Sequence, residues 1–225
     1  MDPRNPDRNT ISLIKSVLFL LCLIPAAHLG WGFQQDALGA NPVEAITRGT
    51  GDWTLRFLLI SLAVTPLRQL SGWNWLLRTR RMLGLYAFFY ASLHFMTYLW
   101  LDRFFDWSGM ARDILRRPFI TVGFAAFVLL IPLAATSFNR AIRWLGGRRW
   151  QSLHRSVYPI GILSIVHYWW LVKRDISEPL MYGLILAVLL GFRFWQRDLE
   201  RQRQLAAGQP RNRIKPRKVI PIVPK

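Results

Sequence analysis

The sequence is poor in the residues from which soluble redox and metal centres are built. A single cysteine, Cys22, stands among 225 residues, which excludes an internal disulfide and any zinc or iron–sulfur centre held by cysteines. Cys22 lies in an apolar run, where a buried, inert thiol is the ordinary state. No Gly-rich turn joins a strand to a helix, so there is no dinucleotide-binding unit and no means of oxidising a nicotinamide unaided. Internal repeats are absent. Acidic residues number only 12 against 30 basic ones. Histidines are as scarce, with His28, His94, His154 and His167 making up the whole set.

What is abundant is apolar residue in long blocks. Hydrophobic residues are 52% of the chain, with 11 Trp and 14 Phe. They concentrate in residues 11–33, 53–70, 82–101, 118–138, 150–172 and 179–195. About 20 apolar residues cross a hydrocarbon core as a helix, and only a helix satisfies its own backbone there. The expected fold is therefore an all-α integral membrane protein, a six-helix transmembrane bundle. Its domains are a polar, loose N-terminal segment (1–10), a six-span domain (11–200) and a basic, Pro-rich tail (201–225). The connections are too short to form a soluble domain. Within the first block Lys15 precedes a short apolar run, as in a signal peptide, but no convincing small-x-small cleavage site follows, so residues 11–33 read as an uncleaved span.

The net charge of +18 is distributed, not general. The N-terminal stretch, the second and fourth connections and the tail, counted with the residues at adjoining span ends, hold 22 basic and 4 acidic residues. The first, third and fifth connections hold 7 basic and 8 acidic residues, and Arg56 stands alone inside the second span. Such alternation is the positive-inside pattern and puts both termini in the cytoplasm. The basic residues thus serve topology and, in the tail, contact with anionic lipid; nucleic acid is not the partner. The first outer connection, 34–52, carries two turn signals, Gly39-Ala40-Asn41-Pro42 and Gly49-Thr50-Gly51-Asp52, with a short helix expected at 43–47. Pro66 is expected to stop or kink the second span. Phe104, Phe105, Asp106 and Trp107 make the connection 102–117 an interfacial aromatic segment. Gly146-Gly147 breaks the fourth connection. Beyond Gly208 the tail is expected to be disordered.

The histidines carry the chemistry. An ionisable or metal-binding residue inside a span is costly and points to function, although a lone intramembrane His is as often a hydrogen-bonding residue at a helix contact. At 1.5 Å per residue, His94 lies about 19 Å above the inner end of the third span near Arg81, and His167 about 24 Å above Gln151 in the fifth. The two spans run in the same direction, so the two imidazoles share a depth near the outer leaflet. Facing each other, they are the expected axial ligands of one haem iron. That arrangement leaves no open position and favours electron transfer. His154 lies at the inner edge, about 13 residues from His167 and so about 220° away around an ideal helix, with Pro159 between them as a source of a kink. It is either a further haem ligand or a headgroup-level residue. His28 has no evident partner and reads as structural.

The flanking cations have two readings each. Arg78, Arg80 and Arg81 anchor the topology, and Arg80 and Arg81 are also candidates to contact haem propionates or a flavin phosphate. Arg56 reads as a snorkelling residue, with a propionate contact as the sharper alternative. Trp107, Trp169 and Trp170 read as an aromatic belt.

Several motifs resemble a known family. Arg80-Arg81-Met82-Leu83-Gly84-Leu85 followed by Leu93-His94, Leu153-His154-Arg155 with Val157-Tyr158, and Val166-His167-Tyr168-Trp169-Trp170 resemble the third and fifth helices of the MsrQ family. Leu38-Gly39-Ala40-Asn41-Pro42-Val43-Glu44 and Leu62-Ala63-Val64-Thr65-Pro66-Leu67 resemble its first outer loop and second helix. MsrQ proteins are the haem-binding membrane subunits of MsrPQ methionine-sulfoxide reductase systems, within the ferric-reductase-like transmembrane family. The resemblance covers about residues 10–200. It implies haem b, FMN as a further cofactor, and a multi-pass place in the bacterial inner membrane. It also implies electrons drawn from the quinone pool or a cytosolic flavin reductase and delivered to MsrP, a periplasmic molybdenum enzyme that repairs oxidised proteins. The sulfoxide chemistry would then belong to the partner. His94, His154 and His167 match the family's haem histidines. NADPH oxidases of the wider group carry two histidines on each of the third and fifth helices; this chain has no inner one on the third. The rival readings are a free-standing ferric or quinone reductase and a haem transporter, although no paired interrupted helices of the transporter kind are present.

Overall fold

The structure, a computed structural model, describes residues 6–172 and 175–208, and every regular element among them is helical. The termini at 1–5 and 209–225, where the expected disordered tail falls, lie outside the described residues. Helix α1 (Arg8–Gln34) is capped by Asp7, whose side chain accepts from the Thr10 N–H. The N-terminal segment is therefore already helical from Arg8, because Asp7 satisfies a donor that a helix start leaves orphaned.

Helix α2 (Pro42–Ser71) overturns two expectations. Asn41 caps it by accepting from the Glu44 N–H, and Pro42 opens it, a start signal that needs no turn further on. Gly49-Thr50-Gly51-Asp52 is not a turn but lies inside this helix, which continues the short helix expected at 43–47. The two glycines are there for close approach: a Cβ at Gly49 would meet the Leu29 side chain at 3.1 Å, and one at Gly51 the His94 ring at 3.2 Å. Nor does Pro66 end α2, which runs on to an αL cap at Gly72 (φ 75°). Proline at 66 cannot donate to the Leu62 carbonyl, and the Arg193 guanidinium donates to that oxygen instead, at 2.7 Å.

A 3-10 turn (Asn74–Leu76) leads into α3 (Leu77–Met96), which passes into a π-turn (Thr97–Asp102). Phe104 (φ 46°) and Phe105 (φ 61°) then reverse the chain in a left-handed conformation unusual for aromatic residues. The amphipathic α4 (Trp107–Arg116) follows. Its buried Asp113 pairs with Arg103, with Arg117 at 3.2 Å, and accepts from the Tyr98 hydroxyl at 3.1 Å. Helix α5 (Pro118–Ala135) returns across the bundle, and short helices α6 (Asn139–Leu145) and α7 (Gly147–His154) meet at Gly146 (φ 75°).

The expected single span 150–172 is two helices, α7 and α8 (Val157–Leu171), separated by a turn at Arg155-Ser156. The break precedes Pro159, which sits in the first turn of α8, where its missing N–H costs nothing. Helix α9 (Ser177–Gly208) extends beyond the expected sixth span and into the segment expected as tail.

Among the described residues the six apolar blocks lie in helices, and four stretches are long and apolar enough to cross a membrane: Arg8–Gln34, Asn74–Asp102, Pro118–Ala135 and Ser177–Ala206. Helix α2 opens with a polar half, and α8 has 15 residues. The core forms where α2 and α3 pack, with Trp53, Phe57, Tyr86 and Tyr90 in ring contact. Tyr90 ties α1 to this core. Its hydroxyl donates to the Cys22 carbonyl at 2.7 Å and accepts from the Ala26 N–H at 3.1 Å, two groups that an undisturbed α-helix pairs with each other. Large apolar side chains such as Leu20, Trp31, Val188 and Phe194 are exposed on the outside, as lipid-facing residues are.

Candidate functional site

His94 and His167 come from α3 and α8, and the packing brings their rings together: the centroids are 6.1 Å apart at an interplanar angle of 78°. Each ring is fixed from behind by a main-chain oxygen. His94 Nδ1 lies 2.8 Å from the Thr47 carbonyl of α2, and His167 Nδ1 lies 2.7 Å from the Phe119 carbonyl of α5. A carbonyl only accepts, so both Nδ1 atoms carry the proton and both Nε2 atoms keep a free lone pair. Thr97 reinforces the first anchor, donating to the His94 carbonyl at 2.8 Å while lying 3.2 Å from the Thr47 hydroxyl.

Two glycines make room for this. Gly51 lies against the His94 ring, and a Cβ at Gly123 of α5 would fall 2.7 Å from His167 Nδ1. Reading the sequence alone missed Gly51, Gly123, Thr47 and Phe119. The signal available was a glycine inside a helical pattern, which marks close approach as often as a turn.

The donor set fits haem. Two metal–imidazole bonds of about 2 Å each, added to the ring radii, put two centroids about 6 Å apart. No third His, Cys, Asp or Glu joins the pair among the described residues. Two imidazoles are too few to hold a bare ion, so a metal held here brings its other ligands with it, as the porphyrin does for iron. Both rings are neutral donors on packed helices, the state that ligation requires.

His154 does not join them. It ends α7, its Nε2 is 3.1 Å from the Thr136 hydroxyl at the end of α5, and its ring stacks on Trp150 at 4.0 Å. No histidine faces it among the described residues; its charged neighbours are Arg80 and Arg81. A second haem held by two histidines has no partner here. Arg80 and Arg81 line a cavity of about 480 Å³ beside His154, at the other end of α3 from His94, about 21 Å along the helix. They are therefore out of reach of propionates at the His94–His167 pair.

Arg56 donates to the Tyr182 hydroxyl at 2.9 Å and lies over the Trp53 ring at 4.9 Å. His28 is exposed on α1, and Trp107, Trp169 and Trp170 are exposed on the bundle surface.

A model of the ferric reductase like transmembrane component family matches residues 50–165. A protein of Azospira oryzae is 60% identical over 193 residues, covering 85% of this chain and 83% of the relative. One of Herminiimonas arsenicoxydans is 56% identical, covering 91% and 95%, and one of Ralstonia nicotianae 55% identical, covering 83% and 87%. Each of the three is named protein-methionine-sulfoxide reductase heme-binding subunit MsrQ. No solved structure matches the chain.

Proposed function

The chain belongs to the ferric-reductase-like transmembrane family, in its MsrQ branch, and from that membership we propose that it is the electron-transfer subunit for a periplasmic MsrP-like molybdenum reductase. In this reading it spans the bacterial inner membrane six times with both termini in the cytoplasm. Its donor is the quinone pool or a reduced flavin, and the partner performs the repair of oxidised methionine.

The observation that carries the reading is the pair of facing imidazoles, each tied by Nδ1 to a main-chain carbonyl. His94 and His167 would hold haem b through Nε2. Bound there, haem would supply reversible one-electron chemistry. The protein's part is to keep both rings neutral, to fix their tautomer through Thr47 and Phe119, and to exclude water with the Phe95, Phe124 and Phe127 cluster between α3 and α5. The charge pattern supports a position of these histidines toward the periplasm, within reach of a partner docked on residues 34–52 and 102–117. FMN is the second proposed cofactor, with Arg80 and Arg81 as its phosphate contacts.

The test is electron flow through the protein in liposomes, followed at the haem band. NADH alone leaves the haem oxidised; NADH with a flavin reductase, or a quinol, reduces it. Oxidised MsrP then reoxidises it when present on the outer side. Rapid reoxidation by ferric chelates with none by MsrP would identify a free-standing reductase instead.

A further inference from the structure

The two imidazoles rest in cradles built to one plan. In each, a helix carbonyl faces Nδ1 and a glycine four residues later leaves the approach open: Thr47 and Gly51 in α2 for His94, Phe119 and Gly123 in α5 for His167. Helix geometry sets that spacing, because residue i+4 stands one turn beyond carbonyl i and donates its N–H to it. A side chain at either glycine would press on the ring that has to reach the oxygen.

The cradles differ at the residue three after the carbonyl. In α2 this is Thr50, 2% exposed, whose hydroxyl lies 2.7 Å from the Ile46 carbonyl and 3.0 Å from the Thr47 carbonyl. In α5 it is Val122, which has the same branched shape and no hydroxyl. The Thr47 oxygen is thus approached by a hydroxyl as well as by the His94 ring and its own helix amide. The Phe119 oxygen has the ring and the amide alone among the bonds observed.

A carbonyl oxygen offers two lone pairs, so a third donor weakens its hold on the other two. His94 Nδ1–H is therefore held less strongly than its bond length alone implies. An acceptor behind a ligating histidine raises the basicity of the nitrogen that faces the metal, and a more basic ligand favours the ferric state. Hydrogen bonding around the axial ligands is one of the means by which a protein sets a haem potential. On the reading of His94 and His167 as the haem ligands, we infer that Thr50 is a positioning residue that tunes the reduction potential of the iron. By sharing the Thr47 carbonyl it makes His94 the weaker donor of the two and holds the potential up.

The experiment is a potentiometric titration of the haem band in the haem-loaded, full-length protein in nanodiscs. T50V makes the α2 cradle like that of α5. It is expected to shift the ferric-to-ferrous ratio about threefold toward ferric, a fall in midpoint potential of about 28 mV for one electron. T50S keeps the hydroxyl and stays at the wild-type value. V122T brings a hydroxyl to the Phe119 carbonyl and moves the potential the other way by a similar factor, and T50V/V122T returns it close to wild type. T54V is the control, because the Thr54 hydroxyl serves the Thr50 carbonyl at 2.9 Å and neither cradle oxygen; it leaves the potential unchanged. A purely structural role for the hydroxyl would not give shifts of opposite sign on the two sides. Haem per chain and the low-spin band report that each variant is folded and ligated, and if T50V sheds its haem, V122T alone decides. Equal potentials in wild type, T50V and V122T, or shifts of the same sign in both variants, overturn the inference. H94A keeps the two readings apart: full haem content in H94A defeats the assignment of the ligands, whereas an unshifted T50V with its haem intact defeats the role of Thr50 alone.

Discussion

Gly123 of α5 lies so close behind His167 that a Cβ added there would fall 2.7 Å from the imidazole Nδ1. The neighbour is a ring already held at 2.7 Å by the Phe119 carbonyl, so it has no free direction in which to yield. Overpacking of this kind costs about 1–3 kcal/mol. Gly123→Ala is expected to weaken haem retention about tenfold, equivalent to about 1.4 kcal/mol. Gly51→Ala, whose Cβ would meet the His94 ring at 3.2 Å, is expected to have a smaller effect in the same direction. Haem per chain after detergent washing measures both, and equal retention in wild type and G123A would contradict the packing argument.

The Tyr90 hydroxyl bonds both the Cys22 carbonyl and the Ala26 N–H of α1, so Tyr90→Phe removes both of these ties between α3 and α1. The ring is fully buried and stays in its stack with Phe57. The expected loss is about 1–3 kcal/mol, seen as a lower thermal midpoint in detergent, with the haem spectrum unchanged because neither imidazole is touched. An unchanged midpoint would mean that these two bonds do not stabilise the packing of α1 on α3.

Pro66 and Arg193 form a pair across α2 and α9. Arg193→Met leaves the Leu62 carbonyl that Pro66 cannot serve without a donor. Pro66→Ala restores an N–H one turn above that oxygen. The double variant P66A/R193M is therefore expected to be more stable than R193M by about 1 kcal/mol or more, a coupling that a double-mutant cycle measures directly. Additive effects of the two changes would remove the link.

The helical blocks were legible because a bilayer leaves few solutions for long apolar runs. His94 and His167 were legible by depth alone, since two helices running in one direction keep a common measure of height. The features that depend on neighbours were not. Gly51 looked like part of a turn because nothing local reveals that an imidazole from α3 presses on it. Pro159 was legible as the source of a kink between His154 and His167, but not that the helix would break outright at Arg155-Ser156, the turn whose Arg155 carbonyl Pro159 cannot serve. Arg193 looked like one more topology charge, because the carbonyl it serves belongs to a proline-interrupted turn on another helix. Arg80 and Arg81 were recognised as anion contacts, yet the sequence did not disclose that their cavity is remote from the histidine pair.

The central claim is that His94 and His167 together hold one haem. Its most direct test is quantified haem per chain, with the reduced-minus-oxidised spectrum, for wild type, H94A, H167A and H154A in membranes where insertion is verified. The account predicts one low-spin haem per wild-type chain, loss of that haem in both H94A and H167A, and its retention in H154A. Full haem content with an unchanged low-spin spectrum in either H94A or H167A would contradict it.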